Sequence, residues 1–179
     1  MNRLKQLWVW TRRMAHCRGF GIQNPDDYRF VRYVVNEHRP YHAYEQLPHS
    51  ADSITAKLGR FYLRLANSVQ PKTVVDLVNM GLFFKAGCHK AEITTAKPEK
   101  AIEGGNTIII AEAASFDSAL LSCCNKDTVL VVHNLWKQKT LWTELTANDN
   151  KATTAFNLYY CAVLFFSERL SRQRYIVNF

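Results

Sequence analysis

The run PKTVVDLVNMGLFFKAG, from Pro71 to Gly87, puts a carboxylate, Asp76, at the end of a short β-branched segment and follows it with an apolar helical one. That order suits a nucleotide site of the Rossmann kind, where a strand leads into a glycine turn and backbone N–H groups meet the ligand. Glycine is needed there because a Cβ blocks close approach and resists positive φ, yet no glycine follows Asp76 until Gly81. His38, His42 and His49 stand four and seven residues apart, a spacing that a helix would align, but Pro40 interrupts it. Proline removes an N–H and clashes with the preceding turn, so a continuous helix is not expected there. The five cysteines include no CxxC pair and fall mostly inside apolar runs, which favours small packed hydrophobes in a reducing, cytoplasmic setting. The chain has neither the GxSxG of a hydrolase elbow nor the GxxxxGK[ST] of a phosphate loop.

The elements that must position these groups change character near Lys72. Before it, PDDYRFVRYVVNEH opens with Asn24 ahead of Pro25, a cap followed by a first-turn proline, and Tyr28, Val31, Val34 and Val35 recur at helical spacing. Leu58, Phe61, Tyr62, Leu65 and Val69 mark one apolar face of a second helix in ITAKLGRFYLRLANSV. After Lys72 come short β-rich runs, TVVDL, AEITT, TIIIA, TVLVV and AFNLYYCAVLFF, separated by the helix-like MGLFFKAG, SFDSALLSCC and LWKQKTLWTELTAND. Strands apolar on both faces and alternating with helices predict a mainly parallel α/β sheet. The segment after Phe156 has no room for a crossover helix, which predicts an antiparallel C-terminal hairpin at the sheet edge. The expectation is one domain over 1–179: a helical cover to residue 70 on a Rossmann-like sheet of about six strands from 71 to 179.

The 179 residues, 47% hydrophobic, suffice for one substantial core. The formal net charge is +8, and Arg3, Lys5, Arg12, Arg13 and Arg18 concentrate part of it at the start. The apolar core among them, LWVW, is too short for a signal peptide and far too short to span a bilayer. A basic amphipathic start suits RNA, an acidic partner or a membrane surface. The plainer alternative is a solvated helical face with Trp8 and Trp10 packed on the core.

Three blocks carry a resemblance: RGFGIQNPDDYRFVRYVVNEHRPYHAYEQL, RFYLRLANSVQPKTVVDL, and FNLYYCAVLFF with the terminal YIVNF. The chain resembles class I S-adenosylmethionine-dependent methyltransferases of the O-methyltransferase-like kind found in Bacteroidetes, over nearly its whole length and most strongly in scaffold segments. In that family the first block reads close to GxGIHSPF; Gln23 and Asn24 depart from it. The resemblance implies a cofactor loop after the first strand, onto which Asp76, Asn79 and Gly81 map, with Val78 in place of the first glycine. It implies an acid for the ribose hydroxyls at the end of the second strand, where this chain has Thr94, and a third strand for which EKAIEGGN leaves no room. In cation-dependent relatives strand-end acids hold a divalent ion; the matching positions are Glu112, His133 and Asn134, and His133 in place of a carboxylate weakens the attraction for magnesium.

Three functions follow. The first is a degenerate methyltransferase-like protein, without cofactor, working as a binding or interaction module with a protein partner or as a homodimer. The second is an active O-methyltransferase using S-adenosylmethionine through an unorthodox loop. The third is a basic nucleic-acid-associated protein contacting phosphates through Arg12, Arg13, Arg18, Arg29 and Arg32. The first is preferred because glycine loop, ribose acid and third strand fail together.

Overall fold

The computed structural model describes residues 3–45, 47, 52–147, 150–168 and 171–179. Helix α1 (Arg3–Arg12) passes into a 3-10 stretch, Met14–Gly19. Helix α2 (Pro25–Phe30) starts where the sequence places it, with the Asn24 side chain accepting from the N–H groups of Asp26 and Asp27 at 3.0 and 3.2 Å. Such a cap satisfies donors that the first helical turn leaves open. A π-helical turn, Val31–Val35, continues it, and the helix is over by Asn36, four residues before Pro40. Helix α3 (Ser53–Val69) is capped in the same way by Asp52, which accepts from Thr55 N–H at 3.0 Å, and it ends as Gln70 turns left-handed at φ 49°.

Seven strands then form one sheet: β1 (Thr73–Asp76), β2 (Glu92–Thr94), β3 (Thr107–Glu112), β4 (Thr128–His133), β5 (Thr154–Asn157), β6 (Cys161–Phe165) and β7 (Gln173–Ile176). Between them lie the short helices α4 (Gly81–Gly87), α5 (Ala119–Ser122) and α6 (Leu141–Leu145). The sheet order is β2-β1-β3-β4-β6-β5-β7. Pairing is parallel except along β6, which runs antiparallel to both neighbours. The expected α/β class, the mainly parallel sheet of about six strands, here seven, and the β5–β6 hairpin are therefore present. One expectation is corrected: the reversed strand is internal instead of at the edge. Strand β6 turns back from β5 at Leu158–Tyr160 and enters between β4 and β5, where Cys161 through Leu164 are buried; β7, only partly buried, takes the edge.

Alternate strand residues build two cores. Val74, Ile108, Ile110, Val131, Phe156 and Val163 face α3 and α4, while Val75, Ile109, Leu130, Val132, Ala155 and Leu164 face α5 and α6. The sheet is thus covered on both sides, which is why its strands read as continuous apolar runs.

The approach of α3 to α4 is very close. A Cβ on Gly59 would stand 2.3 Å from the Phe83 ring, and one on Gly87 2.0 Å from the Leu63 carbonyl oxygen. A ring can rotate away, but a helix carbonyl cannot. Gly87→Ala is therefore expected to destabilise the protein by about 2 kcal/mol or more, as overpacking does, and more than Gly59→Ala does. Urea denaturation of the two variants checks this; a neutral Gly87→Ala would show that the helices can separate freely.

Candidate functional site

The sheet order reverses direction beside β1, since β2 lies on one side of it and β3 on the other. In open α/β sheets ligands bind outside the carboxyl ends of strands at such a switch point. Asp76 ends β1 there, is 5% exposed, and turns its carboxylate into its own loop. Oδ1 accepts from the N–H groups of Val78 and Met80 at 3.1 and 3.0 Å, and Oδ2 accepts from Gly81 N–H at 2.5 Å. Asn79 takes the left-handed conformation, φ 60°, that lets the loop fold round this carboxylate. Gly81 has no room for a side chain, since a Cβ would come 2.9 Å from Asp76 Oδ2 and 2.8 Å from Ile93. Met80 is buried and Val78 packs against the α3-side core.

Thr94 ends β2, the outer strand of the sheet, and its hydroxyl accepts from Ala96 N–H at 3.3 Å. Residues 95–106 contain no strand. The loop and strand-end features therefore meet at one edge, but their donors and acceptors face the chain itself.

Glu112 and His133 are register partners at the ends of β3 and β4, and Asn134 follows directly. The structure brings these three together. Asn134 Nδ2 donates to Glu112 Oε2 at 3.1 Å, Lys137 Nζ stands 3.2 Å from Glu112 Oε1, and Trp136 Nε1 donates to Asn134 Oδ1 at 3.3 Å. Lys137 thus answers the Glu112 charge, and the amide oxygen of Asn134 is engaged. This arrangement does not fit a divalent ion, and among the described residues no group of three His, Cys, Asp or Glu side chains is placed to hold one. His133 is buried, with Nδ1 2.7 Å from the hydroxyl of Tyr62 on α3, which is itself stacked on Phe84. Burial lowers the His133 pKa, with Glu112 opposing, and raises that of Tyr62 well above the phenol range. Both groups are neutral near pH 7.

The remaining sequence expectations divide. Arg13 is not available for phosphate: its guanidinium donates to Asn157 O, Asn157 Oδ1 and Val177 O at 3.1, 2.9 and 3.3 Å. Trp8 and Trp10 are 56% and 47% exposed, so they do not pack into the core, and Leu4, Leu7 and Met14 are exposed near them. His38 is exposed beyond the π-helical turn, His42 lies in a separate 3-10 turn, and His49 lies outside the described residues. All five cysteines are free and four are buried; burial pushes Cys124 up to about 12. Among the described residues no helix is long and apolar enough to cross a membrane.

A cavity of about 740 Å³ lies elsewhere, between the loop after the π-helical turn and α3. Lys57, Arg60 and Arg64 line it from α3, and Glu37, His38 and Arg39 from the loop. Lys57 is solvent-exposed as a residue, yet its ammonium stands 4.5 Å above the Phe179 ring and 5.5 Å above that of Tyr160. Desolvation there, with a smaller push from Arg64, lowers its pKa to about 8. These residues carry no motif. Their i, i+3, i+7 spacing beside the apolar face of a helix is the signal in the sequence that marks them as one stripe.

Compared with known proteins, the chain matches no family model, no curated protein and no solved structure.

Two measurements test the geometry. The folded state disfavours protonated His133, so its contribution to stability is complete above the unfolded pKa of about 6.5 and falls as the pH drops below it. The wild-type melting temperature should fall more between pH 7.5 and 5.5 than that of His133→Gln; equal falls would remove His133 as the cause. Lys57, about half neutral at pH 8 where an ordinary lysine is under about 1% neutral, should be the first lysine acetylated by limiting acetic anhydride, read by peptide mass spectrometry. Labelling no faster than at exposed Lys126 would contradict the lowered pKa.

Proposed function

We propose that the chain is a degenerate S-adenosylmethionine methyltransferase-like protein that works as a binding module and not as a catalyst. The observation that carries this reading is the Asp76 carboxylate, which takes the N–H groups of Val78, Met80 and Gly81. A nucleotide loop presents such donors to its ligand; in this chain they are occupied by a neighbouring side chain, and Met80 between them is buried in the α3-side core. At the next strand ends Glu112 is paired with Lys137, and His133 with Tyr62, which leaves no unpaired acid poised against a base. A module that acts through its surface needs a partner, and the exposed Leu4, Leu7, Trp8 and Trp10 beside Arg12 have the composition of interface anchors. A homodimer is the simplest assembly of that kind.

The reading is tested by thermal melting with S-adenosylmethionine and S-adenosylhomocysteine, each at 1 mM. A ligand at a hundred times its dissociation constant adds ~2.7 kcal/mol to the stability of the native state. No shift is expected from either compound. A clear upward shift would instead favour the active O-methyltransferase, with the Asp76 loop rearranged about its cofactor.

A further inference from the structure

We propose that the cleft between α3 and the loop of residues 36–39 binds a ligand through a phosphate group. Its volume of about 740 Å³ lies within the range of small-molecule sites, roughly 300–1,000 Å³. Arg64 stands at the centre of this cleft's charge. This residue is 8% exposed, and its guanidinium donates to Val34 O at 2.6 Å, Val35 O at 3.0 Å and the Tyr44 hydroxyl at 2.8 Å. Every one of those partners is neutral. Among the described residues no carboxylate lies within ion-pair distance of Arg64; Glu37 in the same lining acts on it only at longer range, and a buried charge is costly unless a close counter-charge compensates it.

The same imbalance extends along α3. Lys57 and Arg60 reach the cleft from the turns before Arg64, and each stands over aromatic rings, Lys57 over Phe179 and Arg60 over Tyr44 at 5.5 Å, instead of beside an acid. Aromatic faces hold a cation without neutralising it. Arg39 adds a fourth cationic side chain to the lining against one acid, Glu37, whose carboxylate accepts from Arg39 N–H at 2.8 Å. Arginine forks together with a lysine point charge suit a dianionic phosphate better than a single carboxylate. A concave site of this size takes a small molecule or a head group, not a duplex or a folded protein surface.

Two sources can present that group. One is a soluble organic phosphate. The other is a phospholipid head group, because the cleft opens beside Trp10 and continues into a groove lined by the exposed Leu7 of α1. The site shares no lining residue with the Asp76 loop, so the proposal stands independently of the methyltransferase-like reading and the melting test of that reading.

The test titrates the full chain with pyrophosphate and with adenosine 5′-monophosphate by calorimetry, against sodium chloride of matched ionic strength. In parallel the protein is floated with phosphatidylcholine vesicles with and without phosphatidic acid. The variants are Lys57→Gln/Arg60→Gln, both solvent-exposed positions, and Lys90→Gln/Lys126→Gln, which removes the same charge away from the cleft. Circular dichroism confirms that each is folded. Saturable binding of a soluble phosphate, weakened about tenfold or more (~1.4 kcal/mol per tenfold) by the cleft variant and unchanged by the other, supports the site with a soluble ligand. Capture by phosphatidic acid vesicles alone, lost in the cleft variant only, supports it with a lipid source. Binding to neither, or equal losses in both variants, overturns it.

Discussion

The closeness of α3 to α4 is the constraint on which the rest of the molecule depends. Only hydrogen fits between Gly87 and the Leu63 carbonyl, or between Gly59 and the Phe83 ring. With the two helices locked at that distance, the rotation of α3 about its axis is set. Its buried stripe of Leu58, Phe61, Tyr62 and Leu65 then faces the sheet, Arg64 reaches the carbonyls that end the π-helical turn, and Lys57 and Arg60 face the cleft. One helix thereby carries structural, buried polar and cationic roles on successive faces.

The polar groups at the carboxyl ends of β1, β3 and β4 follow a common rule: each is satisfied from within the chain. Asp76 closes its own loop, Glu112 is bridged by Asn134 and Lys137, and His133 meets Tyr62. Burial makes an unpartnered polar group expensive, so a strand end that serves no ligand is most stable when neighbouring side chains take the donors. Arg64 departs from this rule in charge though not in hydrogen bonding, since its partners are two carbonyls and a phenol. That contrast separates the cleft from the strand ends as a place where charge is left over.

The N-terminal segment is held through its second half. Arg13 bonds the end of β5 and Val177, while Asn178 donates to Trp10 O and His16 O at 3.1 and 3.0 Å. Arg13 also lies over Tyr159, a residue at φ 69° in the β5–β6 turn. Left-handed backbone is costly for an aromatic residue, and the hydrogen-bonded turn around it, together with the guanidinium above it, holds it in place. Fixed in this way, α1 keeps Val9 inward and leaves Leu4, Leu7 and Trp8 outward, the reverse of what amphipathic packing of its tryptophans would produce.

The sequence by itself determined the class of the fold. Alternating apolar runs and helical periods dictate a covered parallel sheet, Asn24 dictates where α2 begins, and Pro40 excludes a helix through the histidines, because period, capping and proline geometry are local properties. It also placed Asp76, Glu112 and His133 at strand ends. Tertiary structure alone decided three things. Whether Asp76 faces a ligand or its own loop depends on the path of Asn79 and Met80. Whether β6 lies at the edge or inside depends on pairing between segments some thirty residues apart, from β4 to β6. Whether Arg64 has a counter-charge depends on which loop closes over α3. None of these is local, since each is settled by groups far apart in the chain whose distances exist only after the sheet and its two helical layers have come together.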